Sequence, residues 1–370
     1  MSYTIIDADA HMCEPPDLWV ERIDRRFRER APRIVKDPNG KKGSFFVCEN
    51  LPPLRMSGVF AAGKTFDKAF MEAGMESALP GGWDPAARLK DMEADGVDAA
   101  VLYTTCGFVL FWLEDAAFQE ACFRVYNDWL AEFCSYNPKR LAGLGMISLF
   151  DVERGRKELE RCKQLGLKGA MIWAAPPEGQ PYSSSVYDSF WATAQELEMP
   201  LSLHLVTGRS KESRHDEADI VEFYVRMIIR PNEVQRSFLT LIFSGVLERF
   251  PRLKIISAEA DIAWVPYLLQ RADKYFRRFK QGYGVTLSLK PTEYFQRQMY
   301  ATFIDDPLGL KIYSQVGTAD NFMWSTDYPH QASTFPHTQE VLARQFQGVP
   351  EEDKHKIVRE NAAKLYGLTL

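Results

Sequence analysis

Runs of apolar residues alternate with helical patterns along the chain. Eight short runs are apolar at nearly every position: Thr4–Asp9, Val97–Tyr103, Leu141–Leu149, Gly169–Trp173, Leu201–Leu205, Lys254–Ser257, Gln298–Phe303 and Phe322–Ser325. Runs apolar on both faces suit parallel strands buried between helices. Between them, apolar residues recur at helical spacing over Phe118–Tyr136, Val152–Leu165, Val186–Leu197, Glu233–Phe250 and Glu351–Tyr366. Asp84–Asp95 opens on Asp-Pro, an N-cap followed by the first helical position, and Gly96 supplies a stop. Eight strand–helix alternations predict an α/β fold, a distorted (β/α)8 TIM barrel. A doubly wound open sheet is the second choice. No G-x-G-x-x-G follows any predicted strand, which weakens its dinucleotide-binding form.

The rhythm breaks once. The first strand ends near Asp9, but the next helix begins only at about Asp84. We read residues 1–370 as one domain in which 13–83 is an inserted lid or cap after strand 1. Connections this long are usually functional. The insertion carries a basic run from Arg22 to Arg33, read as a solvated helix face rather than a binding patch.

Composition narrows the function classes. Apolar residues make up 46% of 370, enough for a large core, and the formal net charge is −5. That balance argues against nucleic acid held on a basic surface. No stretch approaches the ~18 apolar residues of a membrane span, and no signal-peptide pattern opens the chain. Cysteines 13, 48, 106, 122, 134 and 162 form no C-x-x-C pair, so free thiols in a reducing cytoplasm are expected.

The polar residues at the strand ends suggest chemistry. Asp7, Asp9 and His11 alternate, so an extended chain points them one way. Burying such groups costs several kcal/mol each unless something pairs them. His204 ends strand 5, Glu259 and Asp261 follow strand 6, Asp305 and Asp306 follow strand 7, and Asp327 and His330 follow strand 8. Active sites of such barrels lie at the C-terminal strand ends. Of six histidines, three fall there, which predicts a metal site. Each residue also has a plainer reading: His204 as a hydrogen-bonded core histidine, Asp327 as a turn cap, His330 and His337 as exposed loop residues. His215 and His355 lie in charged stretches and are read as surface residues.

The motifs IDADAHMCEPPDLW, WDPAARLKDMEADGVDAAVLY, LGLKGAMIW, PLSLHLVTG, AEADIAWVPYLLQRAD, WSTDYPHQASTFPHT and ENAAKLYGL span almost the whole chain. Together they resemble the amidohydrolase-2 family, the aminocarboxymuconate-semialdehyde decarboxylase-like metal enzymes of the amidohydrolase superfamily. The resemblance implies one divalent ion held by Asp9, His11, His204 and Asp327. Zinc is placed ahead of manganese. Many relatives have His-x-His or Glu-x-His at the first motif, whereas this chain has Asp9-x-His11. Decarboxylase relatives often carry a histidine after strand 6, where Glu259 is the nearest candidate here. Lys168 precedes strand 4 and should point away, so the carboxylated lysine of two-metal relatives is not expected.

The resemblance implies a lyase that decarboxylates a small aromatic or unsaturated carboxylic acid. Asp327 would deliver the proton, and Glu259 or His330 would orient substrate or water. Hydrolysis of an amide, lactone or C–C bond by a metal-activated water would use the same site. A metal-free binding scaffold would leave the four ligands unconverged. Candidate substrate contacts are Arg209, Trp173 and Phe335. Trp19, Phe108 and Trp112 rank lower, and Arg88 is read by default as a surface residue. Relatives are often dimers, so a homodimer or higher homo-oligomer is expected, with 13–83 as a contact region.

Overall fold

The computed structural model describes residues 4–65, 67–209 and 220–369. His215 therefore lies outside the described residues. Eight parallel strands follow one another in chain order: β1 (Ile6–His11), β2 (Ala99–Tyr103), β3 (Leu141–Met146), β4 (Gly169–Ile172), β5 (Leu201–His204), β6 (Ile255–Ala258), β7 (Met299–Phe303) and β8 (Phe322–Trp324). Each pairs with the next, in registers such as Ile6↔Ala99, Met146↔Met171, His204↔Ala258 and Phe303↔Trp324. A doubly wound sheet would reverse strand order at a switch point. Here the order never reverses, and the ends meet: Asp327 N–H donates to the Asp9 carbonyl (3.1 Å) and His11 N–H to that of Tyr328 (2.6 Å). The result is a nearly closed (β/α)8 barrel.

The strands are buried along nearly their whole length, Tyr300 being half-buried. That is why they read as continuous apolar runs rather than alternating ones. The helix at Pro85–Asp95 is capped by Asp84, whose carboxylate accepts from Ala86 N–H (2.8 Å) and Ala87 N–H (3.2 Å). The stretch read as one helix over Glu233–Phe250 is two, Pro231–Phe243 and Val246–Arg249. Gly245 between them takes φ 75°, a conformation glycine adopts without strain and a continuous helix cannot use. Helices at Ile220–Ile229, Trp264–Phe279 and Pro291–Gln298 were not read from the pattern. Among the described residues no helix is long and apolar enough to cross a membrane. All six cysteines are free.

Residues 13–83 hold a small antiparallel sheet of Arg33–Lys36, Ser44–Val47 and Leu54–Arg55. Arg22 and Arg30 of the basic run pair with Glu132 (2.7 Å) and Asp115 (2.9 Å) of the barrel's outer layer. Trp19 fastens the segment more deeply. It is fully buried, packs against Phe46 at 5.4 Å, and donates its indole N–H to the Cys122 carbonyl at 3.0 Å. Trp19→Ala is expected to cost about 3–5 kcal/mol through the cavity and the unpaired carbonyl. Denaturant unfolding at fixed metal occupancy measures it.

Candidate metal centre

The register of β1 slips between Asp7 and Ala10, a bulge that re-aims the side chains around it. Asp7 takes no part in the centre. Its carboxylate accepts from Thr326 N–H (2.9 Å), the Thr326 hydroxyl and Asp9 N–H (3.1 Å), tying β1 to the turn after β8. Burial pushes the Asp7 carboxyl up to about 6.

Asp9 and His11 instead face residues from three other strand ends. His11 Nε2 lies 3.2 Å from Asp327 Oδ1, 3.5 Å from Asp9 Oδ1 and 3.7 Å from Glu259 Oε2. His204 Nε2 lies 3.3 Å from Glu259 Oε2 and 3.4 Å from Asp9 Oδ1. The opposite nitrogens are already committed. His11 Nδ1 donates to the Thr104 carbonyl (2.9 Å) and His204 Nδ1 to the Leu205 carbonyl (2.8 Å). Each bond fixes the tautomer that leaves an Nε2 lone pair facing the centre.

Asp9 Oδ1, His11 Nε2, His204 Nε2 and Asp327 Oδ1 are all buried, and none makes a hydrogen bond. Four orphaned polar atoms aimed at one another would each cost about 1–3 kcal/mol in an empty core. A cation satisfies all four at once, so the donors fit a metal ion. Among the described residues, two overlapping groups could hold one: Asp9, His11 and His204, and His11, Glu259, Asp327 and His330.

Neighbouring groups hold the donors in place. Asp9 Oδ2 accepts from the Thr302 hydroxyl (2.9 Å), which accepts from Glu259 N–H (2.9 Å). Phe108 stacks on the His204 ring (4.2 Å between centroids), and His330 stacks on His11 (3.9 Å). Glu259 and Asp327 both sit at φ 56°. Non-glycine residues seldom adopt this conformation, and such strain clusters where structure serves function. Glu259 is the member open to solvent, with 28% of its side chain exposed. Burial, then the charge of Asp327, pushes its carboxyl well up. Burial also works against ionised Asp327. The charge of His330 and the contacts of His330 and His11 outweigh it and hold that carboxyl below the usual carboxylate range.

His330 Nδ1 lies 2.8 Å from Asp327 Oδ1, and its Nε2 is 2.9 Å from the Thr105 hydroxyl. Burial, then the charge of His11, pushes the His330 imidazole down.

The other sequence candidates are placed differently. Trp173 is buried just past β4 and meets the Phe150 ring edge-on at 5.0 Å. Arg209 lies over the same ring at 5.2 Å and donates to the Phe111 (3.1 Å) and Leu113 (2.8 Å) carbonyls. Phe335 packs edge-on against Tyr328 at 5.2 Å and lines a small cavity with Arg88, Asp91 and Thr326, apart from the metal donors. Asp306 caps the helix Pro307–Ile312, accepting from Gly309 N–H (2.7 Å), and Asp305 faces Arg344 at the surface (3.4 Å).

Two buried charges escaped the sequence reading. Arg88, read as a surface residue, is buried. It donates to the carbonyls of Gly81 (2.7 Å) and His11, with its guanidinium 4.4 Å over the Tyr328 ring. Its face of the helix, shared with Met92 and Asp95, is the buried one. Glu14 is fully buried and gathers the Thr104 hydroxyl and the N–H groups of Thr105 (3.1 Å), Cys106 (2.9 Å) and Gly107 (3.4 Å). It thereby fixes the loop whose Thr104 carbonyl orients His11 and whose Thr105 hydroxyl meets His330. Its place three residues after His11 was the one available signal.

A parallel eight-stranded barrel with imidazole and carboxylate donors converging at its C-terminal strand ends has the architecture of a metal-dependent TIM-barrel protein. The family model described as Amidohydrolase matches residues 6–368, and the chain belongs to that family. Over 301 residues it is 27% identical to a gamma-resorcylate decarboxylase from a Polaromonas species, covering 76% of this chain and 86% of that protein. Its structure is similar to that of an amidohydrolase from Mycobacterium avium subsp. paratuberculosis, with TM-score 0.80, 21% identity, and coverage of 99% of this chain and 100% of that one. It is also similar to 5-carboxyvanillate decarboxylase from Novosphingobium aromaticivorans complexed with manganese and 4-hydroxy-3-methoxy-5-nitrobenzoic acid. There the TM-score is 0.71 at 22% identity, over 99% and 96% of the two chains.

Proposed function

We propose that this chain is a mononuclear metal-dependent lyase that decarboxylates a small aromatic or unsaturated carboxylic acid. The observation that carries the proposal is the set of four orphaned donors, Asp9 Oδ1, His11 Nε2, His204 Nε2 and Asp327 Oδ1, gathered at the strand ends. The decarboxylase relative and the manganese in the solved 5-carboxyvanillate decarboxylase support it. Two imidazoles with carboxylates accept zinc and manganese alike. We take zinc as the first ion to test, and the manganese bound by that relative supports manganese as the other.

When bound, a divalent ion supplies a Lewis-acid anchor for a carboxylate and a neighbouring oxygen. The remaining work falls to side chains. Phe108, stacked on His204, offers a flat apolar wall beside the donors. His330, whose Nδ1 lies 2.8 Å from Asp327 Oδ1, is placed to return a proton to that carboxylate. The C–C bond to the carboxylate then breaks, the electron pair left on carbon takes the proton from Asp327, and CO2 departs. Glu259, open to solvent, orients substrate or water at the mouth. We keep Arg209 and Trp173, which both meet the Phe150 ring, as secondary candidates for substrate contact, and rank Phe335 below them because it lines a separate cavity.

We further propose that 13–83 caps the catalytic end of the barrel. Ala62 N–H donates to the Pro329 carbonyl (3.0 Å), and Cys106 Sγ meets Met56 Sδ (3.7 Å). Free thiols suit the cytoplasmic location we assign. A homo-oligomer completes the proposal.

Incubation of metal-loaded protein with a panel of hydroxybenzoic and unsaturated carboxylic acids should release one CO2 per acid consumed, followed by headspace analysis and chromatography. Acid turnover without CO2 would favour hydrolysis instead. Thr105→Val removes the hydroxyl that meets His330 and keeps the shape. It should lower kcat about 10-fold with KM and metal content unchanged, while Thr105→Ser restores the rate; steady-state kinetics read both.

A further inference from the structure

Two more orphaned polar atoms stand beside the metal donors. The pairing Met146↔Met171 between β3 and β4, and Ile172↔Leu203 between β4 and β5, carried on along the strands, bring Ser148, Trp173 and His204 into one row at three neighbouring strand ends. Residues in one row of a parallel sheet point to the same face. His204 points to the barrel axis, so Ser148 and Trp173 do too. The neighbours of Ser148 agree. A Cβ on Gly155, in the helix Val152–Gln164, would meet the side chains of Ile147 and Leu149, which therefore face the helix layer. Ser148 is 4% exposed and Trp173 1%. Yet the Ser148 hydroxyl and the Trp173 indole N–H find no hydrogen-bond partner among the described residues. Buried polar groups are rarely left so, because an unmade hydrogen bond in the interior is costly. Trp191 Nε1 is orphaned as well, but it belongs to the helix Asp188–Glu196 of the outer layer.

We infer that Ser148 and Trp173 form a subsite for a hydroxyl on the substrate ring, an inference that rests on the decarboxylase reading above and narrows its substrate class. The chemistry of the two donors selects that group. An indole N–H only donates, whereas a serine hydroxyl both donates and accepts. A ring hydroxyl satisfies both at once, accepting from Trp173 Nε1 and donating to Ser148 Oγ. A second carboxylate would call for a cation. The Arg209 guanidinium shares the Phe150 ring with Trp173, but its Nη1 turns to the carbonyls of Phe111 (3.1 Å) and Leu113 (2.8 Å). Phe108, stacked on His204, and Phe150, edge-on to Trp173, supply apolar walls for a ring between the ion and the subsite. Neighbouring strands lie about 4.8 Å apart, so Trp173 stands one such step from His204 and Ser148 two. The hydroxyl recognised is therefore a further one, across the ring from the oxygens held at the ion.

The test is steady-state kinetics of metal-loaded wild type, Trp173→Phe and Ser148→Ala on salicylate and on salicylates with one further hydroxyl at each open ring position. The readout is the ratio of kcat/KM between each hydroxylated acid and salicylate, which a general loss of activity leaves unaltered. Wild type should prefer one hydroxylated acid by about 10²-fold. Each variant should cut that preference about 10-fold, mostly through KM, with metal content and circular dichroism unchanged. Ser148→Ala removes a single atom and decides the outcome if Trp173→Phe fails to fold. A preference that persists in the variants, or none in the wild type, would overturn the subsite. Preference for a salicylate bearing a second carboxylate, lost in the variants, would overturn the hydroxyl assignment. Calorimetric titration of the same acids separates this inference from the reaction it rests on. Hydroxyl-dependent binding that weakens in the variants, without CO2 release, would leave the subsite standing and remove the lyase. Binding of none of the acids would overturn the inference.

Discussion

His204→Ala protein, purified beside the wild type, is expected to retain under a tenth of the wild-type metal and no measurable turnover. His204 offers its Nε2 from a ring clamped between Phe108 and the Leu205 carbonyl, with Asp9 and Glu259 opposite. Outer-shell partners of metal ligands are alone worth about 10–100-fold in affinity, so losing a ligand exceeds that range. Stability moves differently. Removing the imidazole relieves an orphaned nitrogen but opens a cavity beside Phe108, and the two effects oppose each other. Metal-free variant and metal-free wild type should therefore melt within a few degrees of each other. Elemental analysis with thermal unfolding separates loss of the ion from loss of the fold. Full metal in the variant would remove His204 from the centre.

Asp327→Asn is expected to lower kcat by about 10³-fold or more in protein that still folds. General acid–base groups contribute about 10²–10⁴-fold, and on the proposed reading Asp327 would also be a metal donor. Asparagine tolerates the left-handed backbone at this position and keeps one oxygen, so the turn after β8 survives. What it loses is the charge and, on the proposed path, the ability to carry a proton between His330 and the substrate. Turnover measured at saturating metal checks this; wild-type kcat there would remove Asp327 from the proton path. The contrast with Thr105→Val is one of position: Thr105 meets His330, whereas Asp327 is itself one of the converged donors.

Much of this was legible because a barrel strand, buried on both faces, reads as an uninterrupted apolar run. A polar residue at its end then stands out against that background, as His204 does after LSL and Asp327 after FMWST. Strand β1 is the partial exception. Alternation placed Asp7 with Asp9 and His11, but the bulge gives Asp7 to Thr326, and a bulge leaves no mark in spacing alone. Arg88 and Glu14 were hidden for a related reason. Burial of a charge depends on donors and acceptors brought from distant sequence, here Gly81 and His11 for Arg88, and residues 104–107 for Glu14. The helix Ile220–Ile229 escaped because it is apolar around most of its surface, so no single face repeats at helical spacing.

The two carbonyls that hold His11 and His204 also limit what an incoming ion can demand. An imidazole locked at Nδ1 cannot swing to follow a preferred coordination geometry. Zinc or manganese would therefore meet these two imidazole nitrogens in the same places, and exchanging one ion for the other is expected to leave both rings unmoved. A difference in rate between the two loaded forms would then trace to the ions, through their acidity and the waters they keep, rather than to a shift of the two rings.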